Sequence, residues 1–113
     1  MLPEPSSSFE YRVAIAENHP ASNGHFPGNP IIPGALIMEH VRVAFAQFRS
    51  GMYLKRMVKV KNLHVLRPGK TLIVKIHSKA RDNYGFVCLD CDDNQIAAGD
   101  FHAAPIAAAA TTN

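Results

Sequence analysis

The chain predicts an α+β domain: an antiparallel sheet wrapped around one long central helix. Three observations point there. Residues 34–50 contain an extended apolar helical repeat, with Ile37, Val41, Ala44, Phe45 and Phe48 at helical spacing. One strand-like stretch precedes it and four follow. The separators among those four are short and rich in turn residues, which suits antiparallel neighbours packed on one helix.

Residues 1–8 form a Pro/Ser lead-in, and a single domain is expected over 9–103. The first strand falls at 9–16, with Phe9, Tyr11, Val13 and Ile15 on one face. Residues 17–33 make a hinge loop. In the helix, Glu39, Arg42 and Arg49 share a face with Ala46, away from the apolar stripe, and Gly51 supplies a C-terminal stop. Strands are expected at 53–66, 71–80, 85–91 and 95–102, separated by Pro68-Gly69, Asp82-Asn83-Tyr84-Gly85 and Asp92-Asp93-Asn94. Residues 104–113 are a low-complexity, Ala-rich tail.

A domain of 113 residues buries only about two thirds of its unfolded surface, so a partner subunit is expected to add stability. The net charge is only +3, yet residues 34–81 hold eleven of the twelve Lys and Arg and a single acid, Glu39. Such a run is either a solvated strand surface or a field that steers an acidic partner. Nucleic acid fits poorly, because aromatic residues do not interleave with the basic ones. No apolar run is long enough to span a membrane, and Met1 to Ser8 lack the basic and apolar regions of a signal peptide, so a cytoplasmic protein is expected. Cys88 and Cys91 form a Cys-x-x-Cys. Without a second pair it reads as one cysteine packed inward and one partly exposed, ahead of a zinc or redox site. His19, His40, His64, His77 and His102 show no ligand spacing, and no metal site is expected.

The run from Gly24 to Glu39 sets one histidine, His25, and one carboxylate, Glu39, at the two ends of a connector stiffened by Pro27, Pro30 and Pro33. Taken separately, a histidine beside Pro and Gly is usually a turn residue, and a second-turn glutamate usually rests in solvent. Together they are a candidate acid/base pair. Gly34 at the helix start adds a backbone N–H where unpaired amides and the helix dipole favour negative charge.

This run resembles the signature of the hot-dog-fold (3R)-hydroxyacyl-acyl-carrier-protein dehydratases of the FabZ/FabA type, His-Phe-Pro-Gly-x-Pro-x-x-Pro-Gly-x-Leu-x-x-Glu/Asp, with every fixed position present. Leu66-Arg67-Pro68-Gly69-Lys70-Thr71-Leu72 is similar to a second family stretch in shortened form. The resemblance implies the hot-dog fold, edge-to-edge homodimers or higher oligomers, and active sites built from two chains. His25 of one subunit would act as base opposite Glu39 of the other as acid, with Gly34 N–H donating to the thioester carbonyl. Phe26, Pro27, Gly28, Pro33 and Ala35 would line the substrate; Ala35 replaces a more frequent valine and would widen the pocket. An acidic acyl carrier protein is the implied partner, and neither cofactor nor metal is needed. The shortness of the chain is closer to dehydratases of accessory routes such as aryl-polyene synthesis. A hot-dog thioesterase and a non-catalytic partner subunit are the alternatives.

Overall fold

The computed structural model describes residues 7–16 and 32–106. The elements run β1 (Ser8–Ala14), α1 (Gly34–Phe48), β2 (Met52–Asn62), β3 (Thr71–Ser78), β4 (Asn83–Leu89) and β5 (Gln95–Pro105). The strands form one sheet in the order β1-β3-β4-β5-β2, with every neighbouring pair antiparallel. Among the described residues, no helix is long and apolar enough to cross a membrane.

The helix lies on one face of the sheet because its stripe of Ile37, Val41, Ala44 and Phe45 is buried there. Phe45 meets Tyr84 and Phe101 edge-on, with ring centroids 4.7 and 5.0 Å away, and Tyr84 stacks on Phe101 at 5.5 Å. Contacts of this kind each add about 0.5–1.5 kcal/mol beyond the area they bury. Strand register keeps the two faces distinct. Phe9, Ile76, Phe86, Gly99 and Val60 form one row across all five strands on the helix side, and Ser8, His77, Gly85, Asp100 and Lys59 form the adjacent row on the outer side. A one-residue slip in any strand would exchange them.

The expected elements are present, with shifted ends. The helix stops at Phe48, ahead of the expected Ser50, and Arg49 leaves helical geometry at φ −130° and ψ 86°. Its guanidinium lies 3.9 Å from the Phe48 ring centre, and its Nε donates to the Tyr84 hydroxyl at 3.3 Å. Arg49 therefore leaves the face of Glu39 and Arg42, and Gly51 has no left-handed φ with which to cap the helix. β2 ends at Asn62; Leu63 and Val65 are exposed, and Leu66 is buried through an isolated bridge to Ile32. The β3–β4 turn falls ahead of the expected 82–85, with Arg81 at φ 61°, because Tyr84 is drawn into the aromatic cluster as part of β4. β5 extends past the expected residue 102 to Pro105.

At Pro68-Gly69 the turn forms as expected. Gly69 takes φ 89°, and its N–H donates to the Ile15 carbonyl at 2.8 Å. Register irregularities between Leu54/Arg56 and Met57/Lys59 bend β2. This bend brings the Lys59 carbonyl against Gly99, where a Cβ would collide with it and lie 2.9 Å from Phe86 Cε1. Gly99→Ala is therefore expected to cost about 2 kcal/mol or more. Gly51→Ala, which meets nothing within 4 Å, should be close to neutral. Urea unfolding of both variants checks this, and equal stability would remove the close approach at Gly99.

Candidate active site

The connector enters the helix through Ile32 and Pro33. Ile32 N–H donates to the Leu66 carbonyl at 2.8 Å, which ties the helix start to the β2–β3 connection. Pro33, half-buried, is the N-cap at φ −62° and ψ 146°, and its carbonyl accepts the N–H groups of Leu36 and Ile37 at 3.1 and 3.3 Å. No side chain caps this end and no acid sits in the first turn. Gly34 and Ala35 are exposed, and their amides precede the first intrahelical hydrogen bonds, at the end of a helix where negative charge is favoured. A Cβ on Gly34 would stand 3.7 Å from Asn62 Oδ1, which places the helix start over the end of β2.

Glu39 is five residues further on, about 7.5 Å along the axis and about 140° around it. It lies on the face turned from the sheet, with 51% of its side chain open to water. Arg42 Nε donates to both Glu39 carboxylate oxygens at 3.0 Å, and Arg42 Nη2 closes the pair on Oε2. The hydrogen bonding from Arg42 holds the Glu39 carboxyl below its ordinary range, and the positive guanidinium adds to this. A carboxyl that is to donate a proton near neutral pH needs the opposite shift, which apolar surroundings would give. In the single chain the Glu39 carboxyl meets water and a cation instead. The Glu-Arg spacing of three on a helix is the sequence signal for this pair; the neighbouring Asn62 has none, since its position depends on where β2 ends.

His25, Phe26, Pro27 and Gly28 lie outside the described residues. Cys88 is buried in β4, where burial pushes its thiol up to about 12, and Cys91 is exposed beyond the strand; both are free. Among the described residues no cluster of three His, Cys, Asp or Glu groups is placed to hold a metal ion.

One helix held by a five-stranded antiparallel sheet in this order is the hot-dog fold, and solved structures share it. A protein from Erwinia carotovora superposes with a TM-score of 0.78 at 20% identity, covering 95% of this chain and 90% of that one. The dehydratase heterocomplex ApeI:P from Xenorhabdus doucetiae gives 0.72 at 23% identity, covering 89% and 91%. The fluoroacetyl-CoA thioesterase FlK shares the fold at 14% identity and a TM-score of 0.64, covering 94% and 90%, so the fold alone does not choose the reaction.

Sequence narrows it. The model of the ApeI-like family, described as ApeI dehydratase, matches residues 3–100. The 3-hydroxyacyl-[acyl-carrier-protein] dehydratase FabZ of Wolbachia pipientis is 33% identical over 96 residues, 76% of this chain and 67% of that one. The FabZ of Oenococcus oeni is 38% identical over 80 residues, 63% and 58%. The chain thus spans about two thirds or less of the length of these relatives. It belongs to the ApeI-like dehydratase family.

Removing the guanidinium tests the electrostatics directly. In Arg42→Ala the Glu39 carboxyl should titrate higher, moving toward the ordinary value of about 4.3. The ion pair of the native chain is present above that ordinary value and is lost as pH falls through the lowered one. A carbon-detected NMR titration of Glu39 reads the shift, and an unchanged midpoint would remove Arg42 as its cause.

Proposed function

We propose that this chain dehydrates (3R)-3-hydroxyacyl thioesters carried on an acyl carrier protein, giving trans-2-enoyl thioesters and water. The observation that carries this reading is the complete run from His25 to Glu39, with Gly34 as the first helical residue and Glu39 on the helix face turned from the sheet. His25, as neutral imidazole, takes the C2 proton. The Gly34 amide stabilises the charge that develops on the thioester oxygen. Glu39 protonates the departing C3 hydroxyl, the C3–O bond breaks, and the electron pair left at C2 becomes the new double bond.

Glu39 can carry that proton only if its surroundings change, because beside Arg42 in water it is a carboxylate. A second subunit over the outward face of α1 would exclude water and raise its pKa. Two features support a two-chain site. β2 is an eleven-residue strand at one edge of the sheet, and Tyr53, Val58 and Val60 on it and Leu63 and Val65 just beyond are exposed. Such an edge invites pairing with another chain. The covering subunit in the leading reading is a second copy. The Xenorhabdus relative is a dehydratase heterocomplex, so a different hot-dog subunit is the second reading.

His25→Ala and Glu39→Gln should each lower kcat for enoyl formation by about a hundredfold or more, with folding retained. If sites are shared between copies, mixing the two inactive variants under conditions of subunit exchange should restore part of the activity. Near-normal turnover in either variant would remove that residue from the mechanism. Exchange without recovery would place the site within one chain.

A further inference from the structure

One polar side chain interrupts an apolar row on the helix side of the sheet, and it stands at the start of α1. The row runs Tyr11, Val74, Cys88, Ala97 and Asn62 across the five strands. Val74, Cys88 and Ala97 are fully buried and Tyr11 packs against the core, whereas Asn62 closes the row at the sheet edge with a carboxamide. It shares the helix-side face with Val60, two residues earlier on β2.

Main-chain hydrogen bonds fix this carboxamide against the helix. The Leu63 and His64 N–H groups donate to the Ile96 carbonyl at 2.9 and 3.3 Å, which pins the end of β2, while the bond from Ile32 N–H to Leu66 holds the entry to α1 on the same connection. Asn62 Oδ1 lies 3.7 Å from where a Cβ on Gly34 would stand. The Gly34 nitrogen is two bonds from that Cβ position, so it and Oδ1 are no more than about 6 Å apart. One oxygen accepting hydrogen bonds of about 2.9 Å from both sides spans such a gap. A half-turn of the carboxamide exchanges Oδ1 and Nδ2, so the group can present a donor there.

An asparagine at the end of a strand is commonly a turn former that bonds to nearby groups of its own turn. Asn83 and Asn94 do this: Asn83 Nδ2 donates to the Ala80 carbonyl at 3.0 Å, and Asn94 Nδ2 donates to Asp90 at 3.1 Å. Among the described residues Asn62 makes no such bond, and close as it is to the helix start, it does not cap it.

We propose that the Asn62 carboxamide is a second donor, beside the Gly34 N–H, to the carbonyl oxygen of the bound thioester. The thioester rests on the function proposed above; the placement of the carboxamide does not. As the C2 proton leaves, negative charge moves onto that oxygen, and Nδ2 stabilises it without giving up a proton. Asn62 ends the edge strand on which a second subunit would pair, so assembly would take it out of water and strengthen the bond.

The test compares wild type with Asn62→Ala and Asn62→Asp by two readouts. One is enoyl formation; the other is the infrared carbonyl stretch of a bound, isotope-labelled butyramide analogue of butyryl-pantetheine, which can neither eliminate water nor release a thiol. In Asn62→Ala, kcat should fall about tenfold or more, as expected on losing one hydrogen bond to a charged oxygen, with KM little changed. Asn62→Asp keeps the shape and loses the donor, and its charge opposes the developing one, so kcat should fall further. In both variants the bound carbonyl should absorb at higher frequency than in wild type, with the circular dichroism melt unchanged. Wild-type kcat in either variant, a carbonyl stretch equal to that of wild type in both, or a carbonyl that wild type leaves unperturbed would each overturn the proposal. A carbonyl polarised by wild type and released in both variants, in a protein that forms no enoyl product, would support Asn62 as donor and sink the dehydratase reading instead.

Discussion

The structure depends on one packing event: the apolar stripe of α1 pressed into the helix-side face of the sheet. Val41, Ala44 and Phe45 have no exposed surface, and Phe45 meets the stacked rings of Tyr84 on β4 and Phe101 on β5 edge-on. Burying a phenylalanine of this kind contributes about 1.5–3 kcal/mol, and the edge-on rings make its position specific. Because the helix can be seated in only one rotation, its other stripe is fixed as well. Glu39 and Arg42 must face outward, and the Gly34 amide must stand over the end of β2.

Much of this was legible in the sequence because it follows from periodicity. The buried stripe of α1 and the alternation of Phe9, Tyr11 and Val13 are direct readings of a 3.6 and a 2.0 repeat. The ends of elements were less legible, since they are decided by partners far away in the chain. Arg49 leaves the helix for the Phe48 ring and the Tyr84 hydroxyl, and Tyr84 draws its own strand start forward into the aromatic cluster. Local propensity carries no trace of either contact.

The candidate site divides in the same way. The types and order of its groups are written in the run that ends at Glu39, but their electrostatics are not. The spacing of three allows Arg42 to reach Glu39, but the helix geometry is what shows that it holds Glu39 as a carboxylate in the single chain, so the acid role proposed for Glu39 needs a second surface. The basic run between residues 34 and 81 was equally visible as composition. Which of those cations meet an acid depends on cross-strand register: Lys79 finds Asp100 on β5 and Lys70 finds Asp92 in the loop before it, while Lys59 and Lys75 stand opposite Asp100 and Glu10.

The central claim concerns which bond of the substrate breaks, and following both products of one reaction tests it most directly. Purified protein would be given a short (3R)-3-hydroxyacyl thioester on carrier protein, with enoyl-thioester absorbance and free thiol followed together. The account predicts enoyl formation with the thioester intact. Thiol release without enoyl product would contradict it and make the chain a thioesterase.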